Sequence, residues 1–216
     1  MEIHAYSEEY LSDAQRILGD AVDFAVISLD LEPDVFGRTF AVSDSSKQFA
    51  IGNPRYVAGM NGCELARKVL IETHTPFTDT EDAMYIEKSP EFWSGWALAF
   101  YQWYSNCSFS EILDAVPLSK IIAMYPTFHE MDIMQFTRSI QDKMKKAYPG
   151  TRLRIRRETC GLSQSRLSTE SGVPLRQIQL FEQRQRDINK TSAETLLCLS
   201  KALYCRMEDL MERTVY

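Results

Sequence analysis

Apolar positions recur along most of this chain at intervals of three and four residues, the repeat of a helix with one buried face. Ala14, Ile17, Leu18, Ala21, Val22, Ala25 and Val26 form such a stripe and predict a helix over 12–29, with Ser12 and Gln15 spaced as a capping box. FAVIS at 24–28 has a strand-like composition, but it continues the same stripe and reads as helix. Pro33 opens a second helix to about Val42, since a first-turn proline gives up no intrahelical bond. A weaker helix over 45–51 ends at GNP, residues 52–54. Asn61, with Glu64 three places on, caps a helix whose apolar side is Leu65, Val69 and Leu70. Residues 75–88 read as a connection.

Ser89-Pro90 then opens the most hydrophobic helix, SPEFWSGWALAFYQWYSNC. Trp93, Trp96, Leu98, Phe100, Trp103 and Tyr104 leave it few polar surfaces, so it is expected at the centre of its domain. Core packing is favoured for these aromatics over the lining of a ligand pocket. Ser108 and Glu111 repeat the capping spacing before a helix to Ala115. Pro117 opens another through Ile121, Ile122 and Met124, which Pro126 is expected to stop. A helix over 130–146 follows, with Ile133, Phe136, Ile140 and Met144 on one side. YPG at 148–150 is the cleanest break in the chain. Beyond it, helices are expected over 151–159, 163–170, 174–182, 191–203 and 206–212. No run of strand alternation and no internal repeat is present. The pattern predicts an all-α protein: an irregular helical domain over 1–149, then a compact five-helix domain over 150–216.

Charge sharpens this division. Residues 151–216 hold 12 Lys and Arg against 8 Asp and Glu, a balance of +4, which leaves −10 for the first 150 residues. A polyanion is repelled on average by the first region and can approach the second. The five cysteines, Cys63, Cys107, Cys160, Cys198 and Cys205, are odd in number, widely spaced and without a CxxC pair, as in a reduced cytoplasmic chain. The start, MEIHAYSEEYL, has no basic flank followed by an apolar run, so no signal peptide is expected. No stretch reaches the roughly 18 uninterrupted apolar residues of a membrane helix.

The candidate chemistry lies in GLSQSRLSTESGVPLRQIQLFEQRQR, residues 161–186. Leu167 and Val173 are expected inward beside the sharp Ser171-Gly172 turn. Gly172 suits a left-handed position, and Pro174 suits a helix start. Ile178 and Phe181 should pack the helix over 174–182 onto the one before it, with Leu175 on their side or at the edge. Arg176, Gln177 and Gln179 are then left facing outward. A helix fits the DNA major groove, where arginine reads guanine and glutamine reads adenine. Gln164 opens the preceding helix, where it can meet a phosphate or brace the reading glutamines. Arg184, Arg186 and Lys190 follow the reading helix and suit phosphate.

Residues 152–212 resemble the Cro/repressor-like helix-turn-helix family, also called the XRE family. The resemblance rests on GLSQ at 161–164, RLS at 166–168, SGV at 171–173, Ile178, Phe181-Glu182, LLCLSKAL at 196–203 and MEDLM at 207–211. It implies a lambda-repressor-like five-helix DNA-binding domain, acting as a homodimer on a two-fold site in double-stranded DNA. It also implies that Gln164, Leu175, Arg176, Gln177 and Gln179 face the groove and that Glu182 braces the fold. The chain departs from the family at four places. Serine stands at 168 in place of alanine, arginine at 184 in place of glycine, arginine at 156 in place of leucine, and no proline stands near Ile188. Residues 1–150 resemble an uncharacterised all-helical region of Firmicutes-type proteins, through GNPRYVAGMNGCELA, SPEFWSGWALAFYQWY and YPTFHE. That region is expected to set oligomeric state or to receive a protein or small ligand.

Signals for an enzyme are weak. HEMDI at 129–133 lacks the second histidine of HExxH, and His4, His74 and His129 are far apart in the chain. GNPRYVAGMNG lacks the order and the lysine of a phosphate loop. No cofactor, metal, membrane partner or catalytic residue is expected. The alternative to a DNA-binding transcriptional regulator is a protein-interaction module, an antitoxin or adaptor, whose helix-turn-helix is partly degenerate. An exposed apolar patch at Trp93, Trp96 and Trp103 would favour it.

Overall fold

The computed structural model describes residues 4–82 and 88–212, so 83–87 of the expected connection lie outside the described residues. Every regular element among the described residues is helical. The chain divides into two compact units, the boundary falling between Ala147 and Tyr148 at the start of YPG.

The first unit is organised around α1 (Leu11–Asp23) and α6 (Pro90–Ser105). Between them come α2 (Pro33–Val42), α3 (Asp44–Ala50), α4 (Pro54–Val57) and α5 (Gly62–Glu72). After them come α7 (Phe109–Ala115), α8 (Leu118–Ile122), α9 (Tyr125–Phe128) and α10 (Ile133–Ala147). The stripe read from the sequence is fully buried at Ala14, Ile17, Leu18, Ala21 and Ala25. α1 lies along α6 and α5. It approaches α6 so closely that a Cβ on Gly95 would stand 2.3 Å from the Leu18 carbonyl oxygen. Only glycine allows two backbones to meet in this way.

Locally encoded caps form where their spacing predicts. The side chains of Asn61, Ser89 and Ser108 accept from the N–H groups of Glu64, Phe92 and Glu111 at 2.7, 2.9 and 3.2 Å. Glu111 closes the capping box by accepting from the Ser108 N–H at 2.9 Å. Two helix starts are also held from far away in the chain, α3 in addition to its local cap, Ser43. Asp34 accepts from the Ser119 N–H and hydroxyl at 2.8 and 2.9 Å, holding the start of α8. Glu72 accepts from the Ser45 N–H and hydroxyl, both at 3.0 Å, holding the start of α3.

Three local expectations are corrected. Ser12 does not cap α1: a 3-10 turn at Glu8–Tyr10 feeds straight into the helix, whose N-cap is Tyr10 with no side-chain bond. The 12–29 helix is α-helical only to Asp23 and continues as a π turn over Phe24–Ser28, with the Leu29 N–H reaching the Phe24 carbonyl at 3.0 Å. Pro126 does not stop a helix; it sits in the first turn of α9, where its missing N–H costs nothing.

The aromatics of α6 are packing groups. Trp93 meets Tyr125 and Phe136 edge-on, at 5.7 and 5.3 Å between centroids. Trp103 is buried, donates to the Tyr6 carbonyl at 2.9 Å and stacks on His4 at 3.8 Å. The exposed three-tryptophan patch that would have favoured an interaction module is therefore not formed.

The second unit contains α11 (Arg152–Thr159), α12 (Gln164–Ser171), α13 (Leu175–Glu182) and α14 (Ala193–Ala202), with 3-10 turns at Ile188–Lys190 and Met207–Asp209. Its core joins Leu153, Leu167, Val173, Ile178, Phe181, Ile188, Leu196, Leu199, Leu203 and Leu210. The fifth expected helix, over 206–212, is only the single 3-10 turn; the Arg206 N–H is taken by Asp209 at 3.0 Å. Glu212 instead holds the start of α11, accepting from the Arg152 N–H at 2.7 Å.

Candidate nucleic-acid interface

The turn between α12 and α13 is built by small residues. Gly172 ends α12 in the left-handed region with φ of 70°. Ser171 donates its hydroxyl to the Leu167 carbonyl at 2.6 Å and accepts from the Val173 N–H at 3.2 Å. Ser168, where alanine was expected, donates to the Val173 carbonyl at 2.7 Å, so its hydroxyl is satisfied and tightens the turn. Ser163 caps α12 by accepting from the Arg166 N–H at 3.1 Å.

The orientation of α13 follows from what it buries. Ile178 and Phe181 face the core. At about 100° per residue, the opposite side of the helix carries Arg176, Gln179, Leu180 and Gln183. Arg176 and Gln183 are exposed, and Gln179 and Leu180 are half-buried. Leu175 and Gln177 flank this line, both half-buried. Gln177 is also tethered, donating to the Thr191 hydroxyl at 3.3 Å. Arg176, Gln179 and Gln183 thus share one outer line, and Leu175 and Gln177 lie at its margins. Gln183 and Leu180 were missed in the sequence; the spacing of 183 from 176 and 179, seven and four residues, was the signal that would have found Gln183.

A buried polar clamp fixes how α13 is presented. Arg157 on α11 donates two bonds to Glu182, at 2.6 and 2.9 Å, and a third to the Leu162 carbonyl at 2.7 Å. The side chains of Arg157 and Glu182 are only 10% and 3% exposed. The bond to Glu182 raises the pKa of the guanidinium above its ordinary value, against the effect of desolvation. Gln164 joins the clamp by donating to Glu182 at 2.8 Å. Gln164 was expected to meet a phosphate or to brace the reading glutamines; its amide nitrogen instead braces Glu182, tying the start of α12 to the end of α13.

The remaining basic residues lie on the loop after α13. Arg184 adopts the left-handed conformation expected where glycine is usual, with φ of 55°, and donates to the Gly150 carbonyl at 3.4 Å. Arg186 is exposed, 5.9 Å from the Phe181 ring centroid. Lys190 is exposed, 3.9 Å from Asp187. Arg156, which departs from the leucine of the resembled family, lies within a regular α11. It reaches the end of α14 and donates to the Leu203 and Tyr204 carbonyls at 3.3 and 3.0 Å, where a cation meets the negative end of the helix.

Other candidate chemistry is dispersed. Among the described residues, no group of three or more His, Cys, Asp and Glu side chains is placed to hold a metal. His129 engages the Tyr125 carbonyl at 2.8 Å through Nδ1, one turn back in the chain. A shallow groove on the first unit, of about 550 Å³, is lined by Asn61, Glu64, Arg67, Lys68, Ile71, Glu72 and Asp82. Its cations are already engaged, Arg67 by Asp79 and Asp82 and Lys68 by Glu72. No helix among the described residues is long and apolar enough to cross a membrane. No known protein family, curated protein or solved structure matches the chain.

Proposed function

We propose that this protein is a sequence-specific double-stranded-DNA-binding regulator of transcription. In this reading residues 150–216 form a lambda-repressor-like helix-turn-helix domain, and two copies act on a two-fold site in the cytoplasm. α13 enters the major groove. Arg176 reads guanine, Gln179 and Gln183 read adenine or meet the flanking backbone, and Leu175 and Gln177 contact the groove margins. Arg184, Arg186 and Lys190 neutralise phosphates, so affinity falls as salt rises. Residues 1–149 set oligomeric state or receive a protein or small-molecule signal.

The observation that carries this reading is the outer line of α13. Its polar side chains are left accessible while the other side of the same helix seats Ile178 and Phe181 in the core. The buried Arg157–Glu182–Gln164 clamp holds the end of α13 in one place, as a helix that must meet base edges requires.

The test is selection of DNA from a random pool by the full-length protein. Enrichment of a two-fold motif, with half-sites about 10 base pairs apart, is expected. Failure to enrich any sequence counts against the reading. Arg176→Ala should then lower discrimination at one position of each half-site by about 1–3 kcal/mol.

A further inference from the structure

Two helices of the second unit end in the same way, and each closing turn carries a cysteine. α11 runs out at Cys160; Gly161 is left-handed with φ of 68°, and the Leu162 N–H turns back to the Arg157 carbonyl at 3.1 Å. α14 runs out at Leu203; Tyr204 is left-handed with φ of 52°, and the Cys205 N–H turns back to the Ser200 carbonyl at 3.0 Å. Arg156 holds the two ends together. It donates to the Leu203 and Tyr204 carbonyls at 3.3 and 3.0 Å, and its guanidinium also bonds the Cys205 sulfur. Cys160 Sγ donates to the same Leu203 carbonyl at 3.5 Å. Both thiols are free and half-buried, so a small reagent can reach them, whereas Cys63 and Cys107 lie in the core of the first unit.

We propose that Cys160 and Cys205 are an oxidisable pair, converted reversibly to an intramolecular disulfide by a low-molecular-weight disulfide. The thiolate of one cysteine attacks a sulfur of the small disulfide, whose S–S bond breaks; one small thiolate leaves and takes up a proton. The second cysteine gives up its proton, and its sulfur attacks the first. The mixed S–S bond breaks, and the other small thiolate leaves and is protonated. Two protein thiols are oxidised, and one small disulfide is reduced to two thiols. The environment favours the product. Burial pushes the Cys205 thiol above its ordinary pKa, Arg156 acts against the rise, and Asp209 and Cys160 add to it. A pair whose thiolate is disfavoured does not resist oxidation as pairs with a stabilised reduced form do. The new bond closes the chain from 160 to 205, a loop that holds α12 and α13. Such a closure restricts the unfolded chain more than the folded one, so oxidation stabilises the second unit.

The test is titration of the full-length protein with mixtures of reduced and oxidised glutathione, followed by alkylation, digestion with trypsin and mass measurement without reduction. Trypsin places Cys160, Cys198 and Cys205 in separate peptides, 158–166, 191–201 and 202–206. Peptide 158–166 should appear joined to 202–206. The midpoint should lie at a glutathione ratio at least about tenfold more reducing than for the same pair in the chain unfolded in guanidinium. Cys198→Ser should titrate as the native chain does. The oxidised protein should melt higher by circular dichroism than the reduced one. Pairing of Cys160 or Cys205 with Cys198 instead, a midpoint no more reducing than that of the unfolded chain, or an oxidised protein that melts no higher overturns the proposal. None of these readouts involves DNA, so neither result bears on the DNA-binding reading.

Discussion

Residues 1–147 bury a continuous apolar core in which α1 and α6 meet backbone to backbone at Gly95. Both units hold helix starts with distant carboxylates, but residues 148–212 bury far fewer large side chains and add a buried ion pair, Arg157 with Glu182, and the bonds of Arg156 to the end of α14. The contrast follows from size and task. A small unit gains less from burial, so directed polar bonds carry more of its organisation. Those same bonds fix the pitch of an exposed helix, which apolar packing alone would leave freer to slide. All three tryptophans lie in the first unit, so their fluorescence reports on that unit while circular dichroism reports on both.

The largest effect is expected from Glu182→Ala. It strands the buried Arg157 charge and should destabilise the second unit by about 3–5 kcal/mol. The dichroism transition should shift while the tryptophan transition does not; equal shifts in both would show that the two units unfold as one. Gly95→Ala is the converse. Its methyl group would press on the Leu18 carbonyl and should cost about 1–3 kcal/mol in the tryptophan transition alone. Arg184→Gly should stabilise the second unit by roughly 1 kcal/mol by relieving φ of 55°, and should weaken DNA binding evenly across sequences by removing a cation. A loss confined to one sequence would contradict a phosphate role for Arg184.

The smallest effect concerns Asp23. Its pKa is raised, chiefly because burial disfavours the carboxylate, with the bond from Ser89 acting against the rise. The folded state therefore holds this proton more readily than the unfolded one. The ionised group weakens the fold above the folded pKa, and that penalty fades as pH falls toward the unfolded value. Asp23→Asn can still accept from Ser89. It should raise the melting temperature of the first unit at neutral pH and lose that advantage in acid. A gain that does not change with pH would rule out the desolvated charge as its source.

What could be read from the sequence was what is encoded within one or two turns. The caps at Asn61, Ser89, Ser108 and Ser163 need only a side chain and an N–H three residues away. The core positions Leu167, Val173, Ile178 and Phe181 follow from helical repeat. The capping box at Ser12 failed because the same spacing can sit inside a helix that has already begun. The carboxylates that hold α3, α8 and α11 were invisible, since Glu72, Asp34 and Glu212 are 27, 85 and 60 residues from the groups they receive. Arg156 stood out only as a departure from leucine for the same reason, its partners lying 47 and 48 residues on. At the candidate site, Arg176 and Gln179 were found by periodicity. The tether on Gln177 depends on how the chain returns to Thr191, and spacing does not contain that.

The distant carboxylate caps bear on how the first unit is made. α3 has seven residues and α8 five, too few to persist as isolated helices in water. During synthesis the start of α3 waits for Glu72, which emerges later, while Asp34 is made first and waits for Ser119. α3 has its local cap, Ser43 accepting from the Ser46 N–H at 3.0 Å, but neither helix has its distant carboxylate until the chain has closed on itself. Amide protons in α3 and α8 should therefore exchange with solvent only when the whole unit opens, at the pace of the central helices despite their short length.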